Sequence, residues 1–371
     1  MDVTEESGAQ HGLQRLLTHA HQEALRPALR VLVQREEAAT GRRGWLLQRF
    51  DAGAGYGYGA WLSGSAGARH HSLTDEEYCC AARRHLNLSF PAFRTCPPPR
   101  CPFCREQMDE YGAHVLACGK AGVLDNDVHN LVRDHLYAVC GEAGFRPGKE
   151  TPGLVPGSRQ RPADVLLPAG HGLGGSANAT IPACLDCCGV RSECATYMAS
   201  GLTQGMAAAH RTKAERKFDP APAAYEEAAA KGDEAASQCA AGGGSAAEAE
   251  AAREAARTRA LDARRPRLHV VPVVFSSCGC WYNGDPSRGV RAVMDTLAAK
   301  YKAGESDRPE GSGSAAVHSR WLPRLSTALE RGVWWRFRYT LRALRGEFDV
   351  DPLTLADLPS YVTGPIFLAA S

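Results

Sequence analysis

Two groups of residues in this sequence have the types and spacing that metal chemistry requires. The first lies in CPFCREQMDEYGAHVLAC, where two residues separate Cys101 from Cys104 and three separate His114 from Cys118. Zinc takes four thiolate or imidazole ligands in a tetrahedron, and a C-x2-C turn supplies two of them. His114 and Cys118, four apart on a short helix, would point the same way and supply the others. The pattern predicts a structural zinc site. The alternative is unligated core cysteines beside a surface histidine.

The second group is acidic and is spread over three predicted strands. Asp164 stands directly before an apolar run in RPADVLLP, Asp186 lies in CLDCCGV, and Glu150 ends an earlier strand. Burying a carboxylate is costly unless its charge is needed. Phosphodiester hydrolysis with Mg²⁺ needs converging carboxylates and a nearby cation, and the next helix carries Lys213 and Lys217, of which Lys217 could face the same pocket. Each residue alone has a simpler explanation: Asp164 could cap a helix or form a turn, and Lys217 could be a solvated charge.

The elements that must position these residues can be predicted from periodicity and turn signals. Helices are expected over 127–144, 195–218 and 317–345, and strands over 145–151, 163–167, 181–188 and 268–275. Thr74 and Glu77 have the spacing of a capping box at the start of another helix. Residues 219–264 are dominated by alanine, glutamate and arginine, so we expect an insertion that is part helix and part disorder.

Composition limits the class of protein. Among the 371 residues, 43 are basic and 41 acidic, so any surface for nucleic acid must be local. No apolar run of 18 or more residues is present to span a bilayer, and no apolar leader follows Met1. The 14 cysteines are therefore predicted to be reduced thiols or metal ligands of an intracellular protein that does not enter a membrane.

Taken in order, these motifs resemble a known family. The chain resembles the C-terminal region of non-LTR retrotransposon polyproteins. The motifs that carry the resemblance are CPFC with its following histidine and cysteine, then HNLVRDHLY, GKE, RPADVLLP, CLDCCGV and AAHRTKAERKF. There a zinc knuckle precedes a restriction-like endonuclease of the PD-(D/E)xK superfamily. The resemblance covers 72–218 and, more loosely, 268–345. It implies that Asp164 is the aspartate of the R-P-D motif, Asp186 the second metal-binding acid, and Lys217 the lysine of the following helix.

The resemblance also implies an architecture and an activity. The fold would be mixed α/β (α+β), a restriction-endonuclease-like sheet with flanking helices after a small zinc-knuckle module. The expected regions are a helical N-terminus (1–95), the zinc knuckle (96–120), the endonuclease-like domain with its insertion (121–300), and a linker with a basic helical C-terminus (301–371). The implied function is DNA strand cleavage with structural Zn²⁺ and catalytic Mg²⁺, in the nucleus, with DNA or RNA as partner.

Two alternatives to the enzyme remain open. One is a catalytically inactive, zinc-dependent nucleic-acid-binding remnant of such an element, and the other is a zinc-stabilised protein-interaction module. Cys188 stands where the superfamily has its lysine, and no segment looks like a reverse-transcriptase catalytic core. These departures favour the remnant, whereas Asp164, Asp186 and Lys217 favour the enzyme.

The segment RWLPRLSTALERGVWWRFRYTLRALR near the C-terminus mixes arginines with aromatic residues. Arginines can hold phosphates, and aromatic rings can stack on unpaired bases. The aromatic positions also fit helical spacing with Leu325, Leu329 and Leu341. We therefore favour an amphipathic helix that packs its aromatic residues into the core and leaves its arginines in water.

Overall fold

A computed structural model describes most of the chain. The described residues are 24–38, 45–53, 55–63, 72–121, 123–152, 154, 163–173, 180–191, 193, 201–216, 222–264, 268–284, 289–303 and 314–347. Within them the protein is mixed α/β, mostly helical, with one four-stranded sheet. No helix in these ranges combines the length and the apolar character needed to cross a membrane.

The helices and strands are numbered here in chain order. The helices are α1 (24–38), α2 (Trp45–Ala52), α3 (Asp75–His85), α4 (Ala113–Ala117), α5 (Val123–Glu142), α6 (Leu202–Arg216), α7 (Pro222–Ala241), α8 (Ala246–Arg264), α9 (Val290–Ala303) and α10 (Ser314–Leu344). The strands are β1 (Gly148–Lys149), β2 (Val165–Leu167), β3 (Ala183–Val190) and β4 (His269–Ser276). Every helix and strand predicted around the acidic residues overlaps an observed one. The predicted capping box of Thr74 and Glu77 is confirmed at the start of α3.

The sheet has the order β1-β2-β3-β4. Strands β1, β2 and β3 pair antiparallel, and β4 pairs parallel to β3. A parallel pair needs a long crossover, which here consists of α6, α7 and α8. Val165 pairs with Leu185, so continuing this register by one residue sets Asp164 beside Asp186. The topology thus brings the two carboxylates onto neighbouring strands.

Helices cover both faces of the sheet. On one face, strand residues such as Leu185 and Val271 join the main core with α5, α9 and α10. On the other face, Val190 and Val274 pack against Met206 of α6. All eight residues of β4 are buried, which explains why this strand reads as an apolar run without alternation.

Helix α10 packs along α5 through a stripe of residues spaced four apart. The buried residues of its apolar stripe are Trp321, Leu325, Leu329, Val333 and Phe337. Gly332 allows the close approach, because a Cβ there would lie 3.0 Å from the Cα of Val128 in α5. The prediction of an aromatic stripe in the core is confirmed for Trp321 and Phe337, although some arginines of α10 are buried as well.

The insertion forms an antiparallel pair of helices, α7 and α8, which pack chiefly on each other. Ala228 and Ala236 are buried between them, and Gly232 lets the backbone at Arg253 approach closely. The expected helical part is confirmed, but the expected disorder is not found within 222–264. Alanine, glutamate and arginine have high helix propensity, and each helix covers the small apolar face of the other.

Candidate metal centre and adjoining cleft

Cys101, Cys104, His114 and Cys118 meet at one point and are called the Cys3His cluster below. Their donor atoms all lie within 4.8 Å of one another. The Sγ atoms of Cys101 and Cys118 are 3.8 Å apart, and Cys104 Sγ is 3.1 Å from His114 Nε2. A tetrahedral ion with metal–sulfur bonds of about 2.3 Å separates its sulfur ligands by about 3.8 Å. The cluster could therefore hold a metal ion.

A tight hairpin presents the first two ligands. The Cys101 N–H donates to the carbonyl of Glu106 (2.7 Å), and the Met108 N–H donates to the carbonyl of Pro99 (3.0 Å). The chain reverses through Arg105, which has a φ of 68° and donates its N–H back to the Cys101 carbonyl. This turn brings the Cys101 and Cys104 thiols to the same side of the hairpin.

A capped helix presents the other two ligands. The Asp109 carboxylate accepts the N–H groups of Tyr111 (2.9 Å), Ala113 (2.9 Å) and His114 (2.6 Å). These bonds satisfy donors that the start of α4 would otherwise leave unpaired. Because the five-residue helix begins at a fixed point, His114 in its first turn and Cys118 at its end face the hairpin thiols.

Arg336 of α10 connects the cluster to the rest of the protein. Its Nε donates to the Val115 carbonyl (2.6 Å), its Nη2 donates to the Cys118 carbonyl (2.9 Å), and it is ion-paired with Asp125 of α5. Burial lowers the pKa of Arg336 to about 10, while the nearby Cys118 and Cys101 thiolate charges oppose that shift. The guanidinium therefore stays charged at neutral pH.

Asp164 directly precedes β2 and is 8% exposed. Its Oδ2 accepts the backbone N–H of Cys187 in β3 (2.6 Å) and lies 3.0 Å from Nε2 of His129 in α5. A carboxylate only accepts hydrogen bonds, so Nε2 carries the proton of this contact. Asp164 thus joins β2 to β3 and to α5 through one oxygen atom.

Asp186 lies in the middle of β3 and is completely buried. Strand residues alternate between faces, so Asp186 faces α6 on the opposite side from Leu185. Its Oδ2 is 3.0 Å from Nζ of Lys213, whose side chain is 36% exposed. The charge of the buried Asp186 carboxylate is therefore balanced by the Lys213 ammonium group, which remains in contact with solvent.

A cavity of about 300 Å³, called the cleft below, opens at the carboxyl ends of β3 and β4. Its walls come from α5, α6, α10 and the end of α4, with Leu116, Phe275 and Val333 among the apolar residues. Its basic lining residues are His129, Arg191, Lys213 and Arg336, and its acidic one is Asp125. Open α/β sheets bind ligands at this edge, where strands end and helices begin.

Cys188 also lines the cleft. Burial raises the pKa of its thiol; the charge of Lys213 opposes this effect and that of Asp164 adds to it. The thiol is therefore largely protonated at neutral pH, so it is a weak nucleophile at the position where the family resemblance expects a lysine.

Glu150 and Lys217 are the other predicted site residues. Glu150 directly follows β1, has a φ of 44° and is ion-paired with Arg133 of α5. Its part in a metal site stays a prediction. Within the described ranges, the Cys3His cluster is the only group of three or more His, Cys, Asp or Glu side chains close enough to hold one ion. Lys217 lies outside the described residues. Lys213, one helical turn earlier, is the lysine at Asp186.

His129 is the site residue that sequence reasoning missed. Its signal was present in HNLVRDHLY, because this segment belongs to the helix that precedes the first strand. Helical spacing alone could not indicate that one histidine of that segment reaches a carboxylate 35 residues away.

The chain was compared with models of known protein families, with curated proteins and with solved structures, and none matches. Its chemistry must therefore be read from its own residues. These residues are a four-ligand metal set, two buried carboxylates on neighbouring strands, and a basic cleft lined by the partners of both carboxylates.

Proposed function

We propose that the protein is a zinc-stabilised, Mg²⁺-dependent endonuclease that cleaves DNA strands in the cleft. One observation carries the proposal. Asp164 and Asp186 are buried on neighbouring strands, and the groups that contact their carboxylates, His129 and Lys213, both line the cleft. Buried ion pairs are often no more stabilising than apolar side chains of similar volume, whereas a phosphodiesterase needs carboxylates and cations together.

Zinc is the metal that best fits the Cys3His cluster. Three thiolates and one imidazole are soft or borderline ligands, which select zinc over the hard cations Mg²⁺ and Ca²⁺. A set of four protein ligands leaves no position for water, which is typical of a structural site rather than a catalytic one. The proposed role of zinc is to hold the hairpin and α4 together so that Arg336 has fixed carbonyl acceptors.

Asp164 and Asp186 are the carboxylates that would hold Mg²⁺, with Asp164 turning from His129 of α5 toward the side of the sheet that Asp186 faces. Magnesium in nucleotide-processing sites is commonly bound by one or two carboxylates, with water and phosphate oxygens completing its shell. When bound, it would polarise the phosphate and acidify a water molecule. Lys213 would then lose its contact with Asp186, and its charge would become available to a phosphate oxygen.

The remaining basic residues suit the binding of a phosphodiester. Arg191 and Arg336 both pair with Asp125, so that single carboxylate balances only part of their charge. Lys213 adds to the positive potential of the cleft. A guanidinium also offers paired N–H groups to two oxygens of one phosphate. We expect the cleft to concentrate phosphate groups beside Lys213 and His129, the partners of the two carboxylates.

The second candidate is a protein that binds nucleic acid without cutting it. Cys188 favours it, because a protonated thiol occupies the place where the family resemblance expects a catalytic lysine. In that case Lys213 and His129 would serve only to neutralise Asp186 and Asp164. The basic cleft would still bind phosphate.

Plasmid nicking tests the proposal. Purified protein with Mg²⁺ should convert supercoiled DNA to the nicked form, and Asp186→Asn should lower the rate at least 100-fold. Ca²⁺ should support binding without cleavage, since it polarises water less and accepts looser geometry. Asp295→Asn makes the same chemical change on the exposed face of α9 and should cut at the wild-type rate.

Two results would decide against the enzyme. If the wild type and Asp186→Asn bind DNA equally but neither cuts it with Mg²⁺ or Mn²⁺, the second candidate is correct. If the wild type neither cuts nor binds DNA, both candidates are wrong.

A further inference from the structure

A second basic cavity, of about 660 Å³, lies between α3 and the C-terminal half of α10. It is called the arginine groove below. Its basic lining residues are Arg83 of α3, Arg338 and Arg342 of α10, and Arg345, which directly follows α10. Two carboxylates, Glu76 and Glu347, also line it, so arginine outnumbers acid by two to one.

The arginine groove and the cleft lie on opposite sides of α10. Leu329, Val333 and Arg336 face the cleft, whereas the groove is lined by residues 334, 338, 341, 342 and 345. At 3.6 residues per turn, the mean directions of the two sets differ by roughly 150°. A ligand in the groove therefore contacts a different surface from a phosphate in the cleft.

The charge in the arginine groove is only partly compensated. Arg342 and Arg345 share one carboxylate, Glu347, at 2.7 and 3.6 Å. Arg338 is exposed and has no ion pair within the described ranges. Arg83 donates to the carbonyl of Ser89, a contact that leaves its charge unbalanced. Since exposed ion pairs contribute little stability, folding alone does not explain four arginines on this surface.

The groove also contains aromatic surface. Trp334 is half-buried and lines the groove one helical turn before Arg338, and Phe90 closes its inner wall. Trp334 also packs against the main core, and the part of its indole that lines the groove suits a base that is not paired, because the faces of paired bases are stacked inside a duplex. Arginine suits the phosphates of the same strand, since it binds two oxygens at once.

We propose that the arginine groove binds single-stranded nucleic acid, DNA or RNA, with phosphates on Arg338, Arg342 and Arg345 and a base on Trp334. This inference goes beyond the proposed cleavage and does not require it, because the groove and the cleft lie on different sides of α10. The alternative occupant, an acidic protein segment, would use the arginines but would gain nothing specific from the indole of Trp334.

Binding of a labelled 12-nucleotide oligothymidine, followed by fluorescence anisotropy without Mg²⁺, tests the inference. The triple variant Arg338→Gln, Arg342→Gln, Arg345→Gln should bind at least 10-fold more weakly at low salt. It should also lower the slope of log affinity against log salt by about 2, at about 0.7 per lost phosphate contact. Trp334→Leu should weaken binding about 10-fold and leave that slope unchanged, because stacking involves no charge.

Matched controls separate the groove from net charge and from cleavage. Changing Arg253, Arg257 and Arg259 to Gln removes three exposed positive charges from α8 and should leave binding unchanged. The assay scores binding alone and contains no Mg²⁺, so a failure of cleavage leaves this test intact. Thermal unfolding should confirm that each groove variant is folded.

Three results would overturn the inference. The first is a folded triple groove variant with wild-type affinity and salt dependence. The second is a 12-base-pair duplex that binds as tightly as the single strand. The third is polyglutamate of equal charge that displaces the oligonucleotide as well as unlabelled oligothymidine does, which would assign the groove to an acidic protein partner.

Discussion

Glu330 and Asp186 are both buried carboxylates, but their counter-charges differ in exposure. Glu330 of α10 contacts Arg84 at 2.5 Å and His85 at 2.9 Å, and these side chains are only 3% and 8% exposed. Asp186 contacts Lys213, which is 36% exposed and lines the cleft. The first cluster is closed to any ligand. In the second, a ligand can reach the cation.

This difference indicates how a structural charge cluster can be distinguished from a functional one. Burial of a carboxylate is common to both clusters and does not separate them. Burial raises the pKa of Glu330, but the charges of Arg84 and His85 outweigh it and lower this pKa to about 2. The glutamate is therefore fully compensated inside the fold. The exposure of the partner is what marks Asp186 as a candidate site.

The largest loss of stability is expected at the Cys3His cluster. Arg336 joins this cluster to α10, the helix that carries Glu330 and lines the cleft. Cys101→Ser should lose the metal and destabilise the protein by more than about 5 kcal/mol, because metal binding contributes directly to the folding of so short a segment. Elemental analysis and chemical denaturation measure the two losses.

Cys96→Ser is the matched control, since Cys96 is exposed and lies outside the cluster. It should keep one metal per chain and wild-type stability. Reduced wild-type protein that contains no metal would contradict the prediction. A Cys101→Ser protein that retains metal would do so as well.

The comparison is sharpened by removing each carboxylate charge in turn. Glu330→Gln should destabilise the protein by about 3 kcal/mol or more, because it leaves Arg84 buried without its charged partner. Asp186→Asn should cost about 1 kcal/mol or less, because Lys213 can be hydrated in the cleft. Urea denaturation measures both values. Equal losses would mean that the exposure of the partner does not distinguish the clusters.

The pH dependence of stability should identify Glu330 as the compensated acid. Its pKa is lowered on folding, so its stabilisation is complete above the unfolded value of about 4.5 and is lost as pH falls through about 2. The stability advantage of the wild type over Glu330→Gln should therefore shrink by about 3 kcal/mol across that range. Denaturation at several pH values measures it. A difference that stays constant from pH 5 to pH 2 would disprove the compensation.

A last variant tests whether Asp186 can exchange its partner for a metal ion. Lys213→Met should destabilise the protein by about 1 to 2 kcal/mol, because a buried carboxylate loses its cation. Mg²⁺ should restore part of this loss and should raise the melting temperature more than in the wild type, where Lys213 competes. Differential scanning fluorimetry at 0 and 10 mM Mg²⁺ measures it. An identical Mg²⁺ response in both proteins would argue against a metal at Asp186.

The sequence predicted the Cys3His cluster residue by residue because all four ligands lie within one short segment. Local rules control such a segment: a C-x2-C turn presents two ligands, and a capped helical turn presents two more. The helices and strands around it were predictable for the same reason, since periodicity and turn residues act over a few positions.

The cleft was predicted only in part. Asp164 and Asp186 were recognised as charged residues in apolar strands, and β2 and β3 do pair side by side. The lysine was placed one turn too late: Lys213 reaches Asp186, while Lys217 lies outside the described residues. Because residues four apart lie on the same face of a helix, sequence spacing cannot separate them.

The sequence by itself therefore determined the helices and strands around the candidate sites, the Cys3His cluster and the presence of two costly carboxylates within or beside strands. Only the tertiary structure decided that His129 and Lys213 meet those carboxylates, that their shared cleft opens at the ends of β3 and β4, and that the arginines of α10 divide between two sides of the helix. The physical reason is distance along the chain. Contacts within a turn follow from local geometry, whereas contacts between residues 27 to 35 positions apart depend on how the sheet and its covering helices pack.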